Sequence, residues 1–346
     1  MKHTFGIFGA GAIAEVHARA IRSIEGSVLR GVYDRHPDRT LSFSNKFNCK
    51  PYSSPEELIS DKNIDIVCIC TPSGEHLNPA ILSMRAGKHC IIEKPLEVTL
   101  DRCDMIIEES VKNNVVVSGI FPLRFTDISS DIRKCTDSGR FGKLILGDAY
   151  VKWYRKPEYY TDVKWRGSAI KCGGGALMNQ AIHSIDLLQW YMGKVESVSA
   201  FSGLLSHQNI EVEDTAVAIL RFSNGALGVI EASTAVNPGF FRRIEILGSK
   251  GSIVVEEEKI LTWKFDNETE EDNQIRMKYS GDNASGGGVS DPKAISDTGH
   301  IRQFMDIVRA IDSGTPPAID AAEARKAVEI VLAIYRSANE NKIVYL

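Results

Sequence analysis

Short apolar segments alternate with amphipathic ones along the first third of the chain, and this alternation restricts the fold more than any other feature. The apolar segments predict strands at residues 4–8, 28–33, 64–70, 89–92 and 115–119. Helical patterns between them cover residues 13–24, 37–47, 79–86 and 100–113. Strands separated by helices pair in parallel through right-handed crossovers. We therefore expect an α/β domain built on a mostly parallel, doubly wound sheet.

A glycine-rich turn joins the first predicted strand to the first predicted helix. Gly9 permits a tight turn, Gly11 lets the backbone approach a pyrophosphate, and Ala14 allows the helix to pack closely on the strand. Ala12 and Ile13 open the helix, and with the two glycines they are the predicted cofactor contacts. Glycine turns are common after strands, but this one opens a strand–helix–strand unit and therefore predicts a dinucleotide site.

Asp34 follows the second predicted strand and indicates which dinucleotide binds. A carboxylate there accepts hydrogen bonds from both hydroxyls of the adenosine ribose and repels a 2′-phosphate, so it favours NAD. Arg35 indicates the opposite, because an arginine beside this position can bind the phosphate of NADP. We predict NAD as the cofactor and keep NADP as the alternative.

A turn after residues 64–70 lies at the carboxyl edge of the predicted sheet, where open α/β sheets bind ligands. Thr71 and Pro72 begin this turn and His76 ends it. We expect the turn to contact the ribose or nicotinamide of the cofactor, although it could simply end a strand. His76 taken alone is more typical of a helix start than of a catalyst.

Lys94 stands where the strand at 89–92 ends, between Glu93 and Pro95. Desolvation and the positive charge of an oxidised nicotinamide would lower the pKa of this lysine towards neutrality. Lys94 could then accept a proton from a hydroxyl as a hydride leaves the carbon; the alternative is an ordinary surface cation. Glu93 would point the other way and either bind ribose or orient the loop. Pro95 fixes the backbone and permits a cis bond.

The pattern changes near residue 143, where short strands with tight turns replace the alternation. Strands are predicted at residues 144–153, 195–202, 215–222, 226–232, 241–247, 252–255 and 260–265. Hairpin turns between them, such as Asn224 with Gly225, indicate a large, mostly antiparallel open sheet. One amphipathic helix at 176–192 interrupts the strands, and two helices at 301–312 and 321–339 close the chain.

These patterns divide the chain into a dinucleotide-binding domain at 1–122 and an α+β domain at 123–346 for substrate and oligomer contacts. The last helices could pack back on the first domain. Ser280 to Ser290 is rich in glycine, serine and asparagine and is interpreted as an idle loop rather than a flap over the site. Residues 268–272 are interpreted as a solvated acidic turn.

Three polar residues follow a glycine run in the second domain. Asn179, His183 and Asp186 are spaced to share one face of the predicted helix. A lone histidine on a helix is usually a packing residue, but three polar groups on one face favour a site. His183 would exchange a proton with a substrate oxygen, and Asp186 would set its tautomer or bind another hydroxyl.

Composition and charge exclude several classes of function. Hydrophobic residues make up 43% and charged residues 25%, as in ordinary globular proteins, and the net charge of −4 argues against nucleic-acid or anionic-membrane partners. No apolar run approaches the roughly 20 residues that cross a bilayer, and no signal segment precedes the first strand. The seven cysteines lack metal-type spacing. We expect reduced thiols, no metal site and a cytoplasmic location.

The Glu93-Lys94-Pro95 motif and the glycine–histidine helix together resemble the glucose–fructose oxidoreductase, inositol dehydrogenase and rhizopine-catabolism family (Gfo/Idh/MocA). The similarity extends to residues 247–253 and 333–338 and covers essentially the whole chain. It implies a Rossmann domain, then a domain with a large open sheet that often makes dimer or tetramer contacts. It also implies reversible oxidation of a secondary hydroxyl on a sugar, sugar nucleotide or cyclitol.

The resemblance also implies roles for single residues. Lys94 would be the catalytic lysine, His183 the second acid–base group and Asp186 a substrate contact. Arg124, Trp165 and Arg166 would lie along the cofactor. Inositol dehydrogenase-type members carry aspartate at the position of Asn179, whereas some members that oxidise sugar nucleotides at the ring 3-hydroxyl carry asparagine. A neutral amide cannot relay a proton, so Asn179 would bind a substrate hydroxyl.

The leading hypothesis is an NAD(P)-dependent dehydrogenase of a pyranose-type polyol, with acid–base catalysis by Lys94 and His183. It would form a homodimer or homotetramer through the second sheet and use a small carbohydrate as substrate. One alternative is a cofactor-binding regulator that has lost the chemistry. The other is an NAD-dependent glycoside hydrolase that oxidises its sugar only transiently. Fold alone does not identify the sugar, the carbon or the direction of reaction.

Overall fold

A computed structural model of the protein describes residues 3–281 and 297–346. The described chain forms two compact units. One runs as far as Phe125 and includes Asp297–Val328, and the other holds the rest of the described residues from Thr126 onwards, with Glu329–Leu346. The division falls within the last long helix. The predicted boundary at residue 122 stays a prediction.

The first unit is built on a six-stranded parallel sheet. Its strands are β1 Thr4–Phe8, β2 Val28–Tyr33, β3 Lys50–Pro51, β4 Ile66–Ile69, β5 His89–Ile92 and β6 Val117–Gly119. They lie in the order β3-β2-β1-β4-β5-β6, with every neighbouring pair parallel. The order reverses beside β1, which makes the carboxyl ends of β1 and β4 the switch point of a doubly wound sheet. The predicted sheet is confirmed.

Helices connect these strands. They are α1 Ala12–Arg22, α2 Pro37–Phe47, α3 Pro55–Ser60, α4 Leu77–Arg85 and α5 Leu100–Lys112. Their sequences explain their ends: the Thr99 side chain caps α5 by accepting from Arg102 N, and Asn48 ends α2 in a left-handed conformation. One core cluster joins β1, α1 and β2 to Phe304, which lies on a later helix.

The second unit contains an eight-stranded, mostly antiparallel sheet. Its strands are β7 Leu144–Lys152, β8 Val195–Gly203, β9 Thr215–Phe222, β10 Leu227–Ser233, β11 Arg243–Gly248, β12 Gly251–Glu256, β13 Lys259–Phe265 and β14 Val344–Tyr345. Their order is β13-β12-β11-β7-β10-β9-β8-β14, and only β7 with β10 is a parallel pair. The expected large antiparallel sheet is therefore confirmed.

The remaining helices follow in chain order. They are α6 Asp127–Asp137, α7 Glu158–Thr161, α8 Ala169–Cys172, α9 Ile182–Met192, α10 Glu270–Lys278, α11 Asp297–Ser313 and α12 Ala321–Glu340. The prediction of one regular helix over 176–192 was wrong in its first part, because Ala176–Ala181 forms a π-helical turn before α9 begins. The α-helical spacing from Asn179 to His183 is therefore interrupted.

The interpretation of residues 268–272 as a solvated turn was also wrong. Thr269 and Asp272 form a reciprocal capping box that starts α10. The Asp272 carboxylate is buried and accepts hydrogen bonds from Arg140 and from Trp263 Nε1, each at 2.7 Å. The segment interpreted as an idle loop, Ser280 to Ser290, lies outside the described residues from position 282 onwards.

Two searches of the described residues complete the description of the fold. No helix among them has the length and apolarity to cross a membrane. The same residues hold no group of three or more histidine, cysteine or acidic side chains arranged to bind a metal ion. The cysteines are free thiols, and all except Cys49 are buried.

Candidate active site

The glycine turn after β1 has the geometry that a dinucleotide requires. Gly9 has φ of +91°, and a Cβ placed there would lie 2.6 Å from the Cys70 carbonyl oxygen, so only glycine fits. Gly11 caps α1 in an exposed position, and a Cβ there would meet no atom within 4 Å. Ala14 is fully buried in the core cluster. The turn thus combines an obligatory bend, an open approach to a helix N-terminus and close helix packing.

Asp34 lies just after β2 and is tied to this turn. Its Oδ2 accepts from Ala10 N at 2.9 Å and its Oδ1 accepts from His36 N at 2.8 Å. A carboxylate offers about four acceptor sites, so Asp34 keeps capacity for ribose hydroxyls. Arg35 Nη1 lies 3.3 Å from Glu75 Oε2 in an exposed ion pair. The nearby carboxylates of Asp34 and Glu75 would repel a 2′-phosphate bound beside Arg35.

The turn after β4 is ordered by its own hydrogen bonds. Pro72 precedes a short 3₁₀ turn at Ser73–Glu75, and Thr71 Oγ1 donates to Glu75 O. His76 is almost completely buried, with Nε2 3.0 Å from Thr71 O and Nδ1 2.9 Å from Pro95 O. Because both ring nitrogens face carbonyl oxygens inside the protein, this geometry favours a structural role for His76 over the predicted cofactor contact.

Glu93 and Lys94 follow β5 at the same edge of the sheet as the glycine turn. Glu93 is buried; its Oε1 lies 2.7 Å from His17 Nε2, and its Oε2 accepts from Lys94 N at 3.1 Å. Burial opposes ionisation, but the hydrogen bond from His17 and the charges of His17, His300 and Lys94 hold the pKa of Glu93 well below its ordinary value. These contacts favour the loop-orienting role of Glu93 over ribose binding.

Lys94 is partly exposed in a segment whose neighbours on both sides are buried, and its peptide bond to Pro95 is cis. Arg124, predicted to lie along the cofactor, is buried instead in an ion pair with Glu323 at 2.9 Å. That pair favours a structural role for Arg124.

In the second unit, the partly buried carboxylate of Glu213 shapes the glycine run before the π-helical turn. Glu213 accepts from Gly175 N and Leu177 N, both at 2.8 Å, and from the Tyr335 hydroxyl at 2.9 Å. A Cβ on Gly175 would lie 1.8 Å from the Glu213 carbonyl oxygen, and one on Gly174 2.0 Å from the Tyr335 hydroxyl. Glycine is therefore required here by close approach. Burial raises the pKa of Glu213 despite the three donors.

The π-helical turn and α9 present one partly exposed polar face. Asn179, Gln180 and His183 are partly exposed, while nearly all their helical neighbours are buried. Asn179 Nδ2 and Gln180 Nε2 both donate to the Tyr159 hydroxyl, at 3.2 and 2.7 Å. Asp186 is 1% exposed. Asn179 and His183 are thus both accessible from outside the helix, whereas Asp186 is buried.

Two arginines flank Tyr159. Arg166 stacks on the Tyr159 ring at 4.1 Å and donates to the Tyr159 carbonyl oxygen, and the adjacent Trp165 is partly exposed. Arg155 is buried and donates to Gln180 Oε1 at 2.8 Å. Sequence reasoning missed Tyr159, Gln180, Arg155, Glu213 and His17. Of these residues, only His17 could have been identified from the sequence, because it interrupts the apolar positions of α1.

Comparison with known proteins identifies the family. Residues 3–121 match the oxidoreductase family with an NAD-binding Rossmann fold, and residues 130–254 match the GFO/IDH/MocA C-terminal domain. The chain belongs to the GFO/IDH/MocA oxidoreductase family. The predicted resemblance is confirmed, and as a member of this family the chain is an NAD-dependent oxidoreductase.

Relatives in the GFO/IDH/MocA family cover between 64% and all of this chain. Myo-inositol 2-dehydrogenase of Thermotoga maritima is 29% identical, covering 99% of this chain and 98% of the relative. Oxidoreductase P35 of Formosa agariphila is 30% identical, covering 64% of this chain and 69% of the relative. The WlbA dehydrogenase of Bordetella pertussis, solved with NADH and UDP-GlcNAcA, is similar with a TM-score of 0.89 and 29% identity, covering 100% of this chain and 99% of that one.

Proposed function

We propose that the protein is an NAD-dependent dehydrogenase that interconverts a secondary hydroxyl and a ketone on a sugar, sugar nucleotide or cyclitol. The observation that carries this proposal is the edge formed by the open Gly11 turn, Asp34 and the Glu93–Lys94 loop. Two relatives, a myo-inositol 2-dehydrogenase and a dehydrogenase solved with UDP-GlcNAcA, support the substrate classes.

Hydroxyl oxidation removes a hydride and a proton. NAD, when bound, supplies the hydride acceptor. In the forward direction the neutral Lys94 amine accepts the hydroxyl proton and becomes ammonium while the alcohol carbon becomes a carbonyl; in the reverse direction Lys94 returns the proton. We assign roles to three further residues. His183 makes a second hydrogen bond to the reacting oxygen, and Asp186 sets the tautomer of His183. Asn179 makes a hydrogen bond to a neighbouring hydroxyl.

Removal of the Lys94 amine tests the proposal directly. With myo-inositol, scyllo-inositol, free pyranoses and UDP-GlcNAcA as probes, NAD reduction is followed at its near-ultraviolet absorbance. Lys94→Ala should lower kcat by about 100- to 10,000-fold, because general acid–base catalysis contributes that factor. Lys112→Ala, which removes an exposed lysine at the end of α5, is the matched control and should match the parent.

Other outcomes would favour the two alternatives. Binding of NADH without turnover of any probe, in parent and Lys94→Ala alike, would favour a regulator. Release of nitrophenol from aryl glycosides without net NADH formation would favour a glycoside hydrolase.

We also propose that copies of the chain associate through the exposed face of the second sheet, as a homodimer or homotetramer. Phe201 on β8 and Val217 on β9 pair directly across the two strands, and Ile219 follows on the same face. All three side chains are exposed. A contiguous apolar face of this kind is typical of a protein interface. The cytoplasmic location stays a prediction.

A further inference from the structure

A chain of buried polar groups runs beneath the Lys94 loop. His17, on α1, is fully buried, and its Nε2 lies 2.7 Å from Glu93 Oε1. The other oxygen of Glu93 accepts the Lys94 main-chain N–H at 3.1 Å. On its far side, His17 Nδ1 lies 3.4 Å from Cys70 Sγ. Two hydrogen bonds therefore connect α1 to the main chain of Lys94.

The protonation of this chain follows from its partners. The depressed pKa of Glu93 keeps the carboxylate ionised at neutral pH, and an ionised carboxylate only accepts hydrogen bonds. His17 Nε2 must then carry the proton. The pKa of the Cys70 thiol lies well above its ordinary value, because of burial and the nearby Cys68 and Glu93, so the thiol is neutral. The Phe304 ring packs edge-on against the His17 ring, with centroids 5.0 Å apart, and leaves the imidazole little freedom to turn.

The position of α1 connects these contacts to the proposed cofactor site. The helix is capped by Gly11, in the glycine turn that we propose holds the dinucleotide, and His17 lies on the same helix. His76 holds the loop from the other side through Pro95 O. The loop is thus attached at Glu93 to the cofactor-binding helix and at Pro95 to the turn after β4.

We propose that His17 is a positioning residue, which acts through Glu93 to hold the Lys94 main chain at a fixed place relative to the cofactor-binding helix. The proposal rests on the proposed function of Lys94 as the acid–base group. Catalysis is sensitive to small misplacements, and an error of about 1 Å can cost 100-fold in rate. A merely structural His17 would affect stability and leave the turnover of folded enzyme unchanged.

Two variants of His17 separate these roles. His17→Leu fills a similar volume without a donor, whereas His17→Gln keeps an N–H that can reach Glu93. Asp272→Asn is the matched control, because it weakens another buried carboxylate pair, with Arg140, in the second unit. Each protein is examined for thermal stability, NADH binding by fluorescence, turnover with the best probe from the substrate screen, and amide hydrogen exchange of peptides spanning residues 90–96.

We expect His17→Leu to lower kcat by about 100-fold, with NADH affinity unchanged and faster exchange in peptides spanning 90–96. His17→Gln should restore most of the parent kcat and most of the parent's slow exchange in peptides spanning 90–96. Asp272→Asn should lower thermal stability alone. If His17→Leu fails to fold, Glu93→Leu takes its place, because leucine can neither accept from Lys94 N nor contact His17 through a hydrogen bond, and the same effects on kcat and exchange are expected.

Several outcomes would overturn the proposal. They are unchanged exchange in peptides spanning 90–96, unchanged kcat in folded His17→Leu, and loss of NADH binding in step with kcat. A parent enzyme that turns over no probe would refute the proposed function instead, and the exchange measurement would still decide whether His17 holds the loop.

Discussion

Asp34 holds the backbone at Ala10 and His36 through its two carboxylate oxygens, and so fixes the glycine turn against the end of β2. The same carboxylate is our predicted partner for the hydroxyls of the adenosine ribose. Arg35, one residue on, pairs with Glu75. Preference for NAD over NADP therefore depends on a small group of charges, which single substitutions can alter.

We expect Asp34→Ser to raise the KM for NAD by roughly 10- to 100-fold, as loss of one charge-assisted hydrogen bond does, and to raise activity with NADP. Removal of the Asp34 negative charge removes its repulsion of a 2′-phosphate, which Arg35 can then bind. Steady-state kinetics with both cofactors measures this. Glu75→Gln serves as the comparison and should improve NADP use while the KM for NAD stays the same. An unchanged ratio of the two cofactors in Asp34→Ser would contradict the assignment.

At this scale the sequence indicated Gly9, Gly11 and Asp34, because their roles follow from local backbone geometry. It did not indicate that His76 and Arg124 are buried among internal partners. Both roles depend on contacts with distant segments: Pro95 for His76, and Glu323, on α12, for Arg124. The sequence left two roles open for Glu93 for the same reason, because its partner His17 lies 76 positions away.

At the scale of an element, the π-helical turn also depends on contacts with distant segments that the sequence pattern does not show. Residues 176–192 carry an α-helical pattern, yet their first turn is set by Glu213 and Tyr335, which bind its backbone from elsewhere in the chain. In α10, by contrast, the capping box is formed by residues three positions apart and could have been identified from the sequence. It was misinterpreted because Arg140, the partner that buries Asp272, lies 132 positions away.

Tyr335→Phe tests the support beneath this turn. The pKa of Glu213 is raised in the folded protein, so stability from this group is complete below about pH 4, the value in unfolded chains, and falls as pH rises through the folded pKa. Loss of the Tyr335 donor should raise that pKa further. We expect a stability deficit of about 1–3 kcal/mol at pH 7.5 and a smaller deficit at pH 4.

Thermal denaturation at several pH values measures this deficit. Tyr345→Phe is the matched control, because the Tyr345 side chain is 72% exposed in the same unit, and it should match the parent at every pH. A deficit for Tyr335→Phe that is constant across pH would show that the hydroxyl does not stabilise the Glu213 carboxylate. A fall in kcat of the folded variant would further tie the turn to Asn179.

At the scale of the whole molecule, the alternation of strands with helices predicted the first sheet and the run of strands with hairpin turns predicted the second, because hydrophobic periodicity and turn residues are local properties of each element. The open sheet of the second unit carries exposed apolar side chains on one face. Along β9, Val217 and Ile219 are exposed while Ala216, Ala218 and Leu220 are buried, so the pattern repeats every second residue. A group of exposed apolar side chains of this kind favours association over solvent exposure.

A charge in the centre of this face should separate the copies. Ile219 lies opposite Ser199 on β8 and Val229 on β10, so an aspartate at position 219 would be surrounded by the proposed interface. Burying an unpaired charge is strongly unfavourable, and we expect Ile219→Asp to be monomeric at concentrations where the parent is a dimer or tetramer. Light scattering coupled to size-exclusion chromatography measures the mass. Val111→Asp, which changes a side chain 76% exposed on α5, is the control and should keep the parent's mass. A monomeric parent, or an Ile219→Asp variant with the parent's mass, would rule out this face as the interface.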